Sequence, residues 1–155
     1  MFRKLPGRAI ALIVLVVVLP AFAMAQAAAG ANDISGTFSF LKEGEFVQLS
    51  MDDGQLTGFV SRFGDTGDDK GEFIDQFLDQ ATLQGDHLHF NTKTVHAVRY
   101  EFDGTISVAA GKQKGDEGYR VLRGKLTEYT SDAKGVEHGK ERTVEFKSFP
   151  DLQRH

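Results

Sequence analysis

Apolar and polar residues alternate with a period of two along most of the chain beyond residue 33, and glycine-containing turn pairs interrupt the alternation. This pattern is typical of half-buried β-strands joined by tight turns. It predicts an all-β fold whose strands lie near 33–41, 44–51, 55–63, 80–84, 87–94, 98–109, 119–130 and 142–149. Because successive hairpins leave two free edges, we expect this antiparallel up-and-down meander to close into a roughly eight-stranded barrel.

Cross-strand parity tests each predicted hairpin, since residues opposite one another in a ladder point to the same side of the sheet. Two-residue turns at Asp53-Gly54 and Gly85-Asp86 place apolar residues or glycine opposite apolar residues. A turn at Asp103-Gly104 would mix the two faces. We therefore predict one unbroken strand over 98–109, joined to the preceding strand by a three-residue loop at 95–97.

The alternation fails between residues 64 and 80. The large apolar residues of this segment have helical spacing: Phe73, Ile74, Phe77 and Leu78. The spacing predicts one short helix near 71–79, packed over an open end of the barrel. Polar loops are predicted at 111–118 and 131–140.

Four glycines share one local pattern, in which an apolar residue lies two positions to either side: Gly36, Gly58, Gly104 and Gly124. Glycine weakens a strand unless the backbone bends or approaches another strand closely. The pattern therefore favours a curved sheet with glycines on its inner face. Chance placement in a chain of 17 glycines is the alternative.

The amino-terminal segment differs from the rest of the chain. A basic start with Arg3, Lys4 and Arg8 is followed by an apolar run over 9–19 and by the small residues of Ala23-Met24-Ala25. This is the layout of a secretory signal peptide, and an uncleaved membrane anchor is the alternative. We predict a signal peptide at 1–25, a flexible leader at 26–32, a β-barrel domain at 33–150 and a carboxyl-terminal tail at 151–155. The expected location is periplasmic or extracellular, with no membrane span in the mature form.

Charge and composition narrow the function. The predicted signal peptide removes three of the 18 basic residues and none of the 22 acidic ones, which leaves a formal charge of −7. An acidic surface argues against nucleic acid as a partner, because the phosphate backbone attracts Lys and Arg. The absence of cysteine excludes a disulfide framework, Cys-ligated metals and a Cys nucleophile.

The opening hairpin resembles the start of two barrel families. Gly36-Thr37-Phe38 and the later run from Asp53 to Gly58 are similar to the Gly-Thr-Trp strand and Leu-Thr-Gly strand of avidin-type barrels, and lipocalins open with Gly-x-Trp. The resemblance covers about 25 residues and implies an eight-stranded architecture. It does not imply biotin binding, because this chain contains no tryptophan to match those that line an avidin site.

Several polar groups were weighed as sites. His87 and His89 lie two apart on one strand, but parity turns both outward, and we predict no metal. Asp65-Thr66-Gly67 matches the aspartic-protease triplet without its apolar flanks, so a solvated turn is expected. The acidic residues around it lack EF-hand spacing for calcium. No cofactor motif is present, and catalysis is the least favoured of three functional hypotheses.

The predicted inner face carries polar residues beside apolar ones. Thr92, Thr94 and Tyr100 fall on the face that also carries Phe102. In a small barrel such groups either satisfy one another or mark the polar end of a ligand cavity. The leading hypothesis is thus an exported binding module for a small, partly apolar ligand, with these four residues as its candidate site. A protein-interaction or inhibitor barrel that acts through its polar loops is the alternative, and a barrel enzyme is the third.

Overall fold

The period-two alternation becomes eight antiparallel strands in the computed structural model, which describes residues 34–65 and 67–150. The strands are β1 Gly36–Ser39, β2 Phe46–Asp52, β3 Gln55–Phe63, β4 Phe73–Gln84, β5 His87–Thr92, β6 Val98–Val108, β7 Arg120–Ser131 and β8 Glu137–Lys147. A 3-10 turn at Gly67–Asp69 lies between β3 and β4. The predicted signal peptide, leader and carboxyl-terminal tail lie outside the described residues.

The strands form one sheet in sequence order, so every neighbour is joined by a hairpin or a short loop. The sheet curls strongly into a half-barrel. Its first and last strands meet at a single bridge between Phe38 and Ser148, and the Phe149 amide donates to the carbonyl oxygen of Thr37 at 2.8 Å. The predicted all-β up-and-down architecture is confirmed, with the two edges joined over this short seam.

The hairpin registers follow the predicted parity. Leu49 lies opposite Gly58 across β2 and β3, and Ala81 lies opposite Phe90 across β4 and β5. Asp103 and Gly104 lie inside the unbroken strand β6, as parity predicted. Parity succeeded because a slip of one residue would expose a whole apolar face.

The predicted helix at 71–79 is wrong: Phe73–Gln84 is strand β4. Ile74 and the amide side chain of Gln76 point into the half-barrel, whereas Phe73 and Phe77 point outward. Each outward ring contacts the phenylalanine opposite it on β3, Phe63 or Phe59. A polar residue inside and aromatic residues outside reverse the usual strand pattern, and this reversal imitated helical spacing.

Two loops also differ from expectation. The predicted three-residue loop at 95–97 is a two-residue turn, because Val95 pairs with Val98. Its central residues His96 and Ala97 both have positive φ, 49° and 62°, as in a type I′ turn. The predicted polar loop at 131–140 is shorter, since β8 begins at Glu137. The exposed polar residues at the start of β8 pair with β7 and lengthen the strand.

One hydrophobic core fills the inside of the half-barrel. Its fully buried members come from β1, β2, β3, β5, β6, β7 and β8, and include Phe38, Val47, Val60, Leu88, Phe90, Phe102, Leu126 and Phe146. The Phe90 and Phe102 rings stack with centroids 5.3 Å apart. Among the described residues no helix is long and apolar enough to cross a membrane.

Candidate functional site

The two ends of the half-barrel differ in polarity. Up-and-down connectivity places the connections 40–45, 64–72, 93–97 and 132–136 at one end, which we call the Arg62 end. Inward or buried polar side chains gather there: Glu45, Arg62, Gln76, Thr92, Tyr100, Glu128 and Arg142. Charged groups inside a core require a partner or a function, so this end is the candidate site.

Arg62 is a buried cation without a carboxylate partner. Its side chain points inward from β3 and is only 4% exposed. Nε donates to Gln76 Oε1 at 2.6 Å, and Nη1 donates to the Phe63 carbonyl oxygen at 3.2 Å. Nη2 donates no hydrogen bond to any described residue, and Arg62 forms no salt bridge within the described part of the chain. The guanidinium is thus held in place on one side and open on the other.

Gln76 fixes the orientation of Arg62. Its side chain is fully buried on β4, and Nε2 donates to the carbonyl oxygens of Val98 at 2.8 Å and Lys93 at 3.2 Å. Because the amide nitrogen makes these two hydrogen bonds, the amide oxygen is the atom that accepts from Arg62. The same two bonds tie β4 to the turn between β5 and β6. These hydrogen bonds explain why a glutamine occupies an inward position of β4, where the alternation of a strand favours an apolar residue.

Glu45 is a buried acid at the same end, and backbone amides already occupy its carboxylate. Its carboxylate accepts hydrogen bonds from the backbone amides of Lys42 at 3.0 Å and Phe63 at 3.1 Å. The carboxylate therefore closes the loop after β1 onto the end of β3. It forms no salt bridge with a described residue.

Tyr100 and Thr92 meet on the inner face as predicted from parity. The Tyr100 amide donates to Thr92 Oγ1 at 3.0 Å, and both residues are buried. Burial, followed by the negative charge of Glu128, raises the pKa of the Tyr100 phenol, while the nearby Arg62 charge lowers it. The net shift is upward, so the hydroxyl keeps its proton and acts as a donor. It forms no hydrogen bond with a described residue.

A second arginine faces the same end. Arg142 on β8 lies opposite Leu126, and its Nη2 donates to Glu128 Oε2 at 2.8 Å. Arg142 Nε is enclosed and lacks a partner, and no other fully enclosed side-chain nitrogen or oxygen in 34–65 and 67–150 does. It follows that Arg62 Nη2 and the Tyr100 hydroxyl, which have no hydrogen-bond partner among the described residues, are not fully enclosed.

The other two predicted site residues are placed differently. Thr94 is exposed, contrary to its predicted inward orientation, and lines an open cleft of about 530 Å³ with Asp79, Asn91, Thr92, Lys93, Arg99 and Glu101. Thr94 turns outward because strand β5 ends at Thr92. Phe102 is fully buried between the rings of Phe90 and Phe146 and belongs to the core.

Sequence reasoning missed Arg62 and Gln76. The alternation of β3 predicts an inward Arg62. Leu56, Gly58 and Val60 point inward, and Arg62 is the next residue at the same spacing of two. This prediction was hard to make because Phe59 and Phe63 lie on the other side of the strand. With aromatic residues there, either side of β3 could have faced the core. The inward position of Gln76 could not be predicted from a helix at 71–79, because it depends on the alternation of a strand.

The remaining candidate chemistry lies on the surface. His87 Nε2 and His89 Nδ1 lie 3.3 and 3.4 Å from different oxygens of Asp103. Both imidazoles point outward, as parity predicted. No group of three or more metal-ligating side chains in the described segments is arranged to hold an ion. Asp65 pairs with Lys42 at 2.5 Å and is exposed, so the acidic loop around it is a solvated one.

Two further surface features are prominent. At the end opposite Arg62, the seam between β1 and β8 borders a cleft of about 490 Å³ whose lining includes Phe38, Lys114, Tyr119, Arg120 and Phe149. On the outer face of β2–β4, five phenylalanines form a patch that we call the Phe patch: Phe46, Phe59, Phe63, Phe73 and Phe77. Phe73 and Phe77 are more than half exposed.

The chain matches no protein-family model, no curated protein and no solved structure. The resemblance of the opening hairpin to avidin-type barrels and lipocalins therefore stays a prediction from the sequence, and the arguments for function come from the site itself.

Proposed function

We propose that this protein is an exported, non-catalytic binding module that takes a small, partly apolar ligand at the Arg62 end. The observation that carries the proposal is the open Nη2 of the otherwise buried Arg62. A buried charge without a partner is costly, so a fold that keeps one gains when a ligand supplies the partner.

A buried aromatic ring at the Arg62 end supports an apolar part in the ligand. The Phe40 ring lies edge-on to Tyr100, with centroids 5.2 Å apart, and also contacts Phe146. Binding sites for small molecules combine such apolar walls with a few fixed polar groups. At this end the fixed groups are Arg62, anchored by Gln76, and Tyr100.

Native mass spectrometry and NMR spectroscopy test the proposal. We expect the purified protein to carry the mass of one small molecule that is lost on denaturation. Adding that molecule back to refolded protein should shift the amide resonances of Gln76, Thr92 and Tyr100, and leave those of the turns at 53–54 and 85–86 unchanged. Absence of an adduct, or shifts confined to the seam cleft, would argue against a site at the Arg62 end.

Export is part of the same proposal and has its own test. The basic, apolar and small-residue segments of 1–25 support cleavage after Ala25. Mass spectrometry of the protein recovered from outside the cytoplasm should give a mature chain that begins at Gln26. Recovery of the full-length chain in a membrane fraction would favour the anchor alternative.

A second candidate function, protein docking, is supported by the Phe patch. Strands β2–β4 contain one basic residue, the inward Arg62, whereas Asp75 and Asp79 are exposed beside Phe77. An apolar face with acidic neighbours favours a partner segment that is both apolar and basic. It disfavours a second copy of this chain, whose own patch would bring like charges together.

The docking candidate is tested with the double substitution Phe73→Ser/Phe77→Ser. We expect it to abolish capture of a basic partner protein that the wild type binds more weakly as salt rises. The matched control is Val108→Ser, because Val108 is equally exposed on another strand. If ultracentrifugation instead shows a wild-type dimer that the double variant lacks, the patch is an interface between copies of this chain.

A further inference from the structure

We infer that the Arg62 end binds the carboxylate of a small monocarboxylic acid, with Nη2 of Arg62 as the principal donor. This inference rests on the proposed function, because it specifies the chemical class of ligand for the same site. Neutral and cationic ligands of the same shape are therefore not the preferred occupants of the site.

The first argument is the set of unpaired donors. Arg62 Nη2 and the Tyr100 hydroxyl both lie on inward-facing residues at this end, and neither has a hydrogen-bond partner in the described part of the chain. Two donors without acceptors match a ligand that offers only acceptors. An ionised carboxylate offers two oxygens and no donor.

The second argument is the environment of the guanidinium. Arg62 is only 4% exposed, so little solvent reaches its guanidinium. A charge-assisted hydrogen bond is shorter and stronger than a neutral one, and screening is weaker away from solvent. The Nε and Nη1 contacts hold the guanidinium in one orientation, so little side-chain freedom is lost when a ligand binds.

The third argument selects a monoanion over a dianion. Glu45 and Glu128 bring two negative charges to the same end, against the two positive charges of Arg62 and Arg142. A single added negative charge can pair with Arg62. A dianionic phosphate would add a second charge that the glutamates repel.

Four six-carbon probes test the inference: hexanoate, hexanamide, hexylammonium and hexyl phosphate. They share one apolar chain and differ in the charged or polar head. We expect NMR titration to give a Kd for hexanoate at least about 10-fold lower than for hexanamide, since a hydrogen bond to a charged group contributes more than one to a neutral group. Hexylammonium should not bind at this site.

Substitution at Arg62 completes the test. Arg62→Met should abolish the preference for hexanoate over hexanamide while leaving hexanamide binding in place. The matched control is Arg123→Met, because Arg123 is exposed on the outer face of β7 and pairs with Glu145. If Arg62→Met does not fold, Arg62→Lys serves instead, since it keeps the charge and loses the fork, and should weaken hexanoate binding without reversing the preference.

The outcomes separate the two proposals. Equal binding of hexanoate and hexanamide, or a preference that survives Arg62→Met, overturns the carboxylate assignment and leaves a binding module for neutral ligands. Tighter binding of hexyl phosphate than of hexanoate overturns the choice of a monoanion. If no probe shifts the resonances of the Arg62 end and the protein also carries no adduct, the proposed function itself fails.

Discussion

Gly104 and Gly124 lie opposite one another in the pairing of β6 with β7. A Cβ atom built on Gly104 would lie 2.3 Å from the Arg123 carbonyl oxygen and 2.7 Å from Gly124 Cα. Both neighbours are backbone atoms that cannot turn away. The recurring glycine pattern in the sequence indicated this need for close approach, and the structure locates it between two paired strands.

Gly104→Ala should destabilise the fold strongly. We expect a loss of about 2–3 kcal/mol in the free energy of unfolding, because overpacking forces the two strands apart. Urea denaturation measures the loss. Thr105→Ala on the opposite, exposed face is the control and should change the free energy by less than about 0.5 kcal/mol. Equal effects of the two substitutions would show that strand propensity, and not close approach, is responsible.

Strand β4 shows how an element escapes prediction from its own residues. Its outward phenylalanines are stabilised by rings on β3, and its inward Gln76 by Arg62 and by two carbonyl oxygens from the β5–β6 turn. None of these partners is local in sequence. Tertiary pairing therefore overrode the spacing that favoured a helix.

The β5–β6 turn carries strain that a single substitution should relieve. Ala97 has a φ of 62°, a left-handed conformation that costs a residue with a Cβ roughly 1 kcal/mol or more. We expect Ala97→Gly to raise the free energy of unfolding by about 0.5–1 kcal/mol, since glycine adopts this conformation freely. The control Ala81→Gly, within β4, should lower the free energy. A destabilising Ala97→Gly would indicate that the turn is not strained.

The β7–β8 hairpin should respond to acid. Hydrogen bonds from Arg99 and Arg123 hold the pKa values of Glu137 and Glu145 below their usual range, and the Val136 amide does the same for Asp132. A carboxyl group with a lowered pKa in the folded state contributes stability above its unfolded pKa, and this contribution disappears as the pH falls through the folded pKa. Stability from these pairs is thus present at neutral pH and lost in acid.

Thermal denaturation at about pH 6 and about pH 3 measures this contribution, since carboxyl groups titrate between the two values. The wild type should lose more stability over this interval than Glu137→Gln/Glu145→Gln. The difference should be small, because the pairs are exposed and screened. Glu43→Gln/Glu117→Gln is the control, since neither residue forms a salt bridge with a described residue. If the control variant loses the same stability as Glu137→Gln/Glu145→Gln between the two pH values, the acid response comes from the net charge of the protein and not from these ion pairs.

At the scale of the whole molecule, one core links almost every strand, so a buried residue affects the entire fold. Phe102 lies at its centre, although the sequence suggested it as part of the ligand site. We expect Phe102→Ala to cost about 3–5 kcal/mol in one cooperative unfolding transition. Phe77→Ala, which removes an exposed ring, should cost less than about 1 kcal/mol. Urea denaturation distinguishes the two, and comparable losses would show that the Phe patch stabilises the fold itself.

The sequence by itself determined the eight-stranded meander, the registers of most hairpins and the inward positions of Thr92, Tyr100 and the core residues. These features follow from alternation and turn chemistry, which are local and repeat along the chain. Only the tertiary structure decided that Phe73–Gln84 is a strand, and that Arg62 is held by Gln76 without a salt bridge to a described residue. The physical reason is that each of these depends on contacts between residues that are distant in sequence, and alternation does not encode which distant side chain will supply a partner.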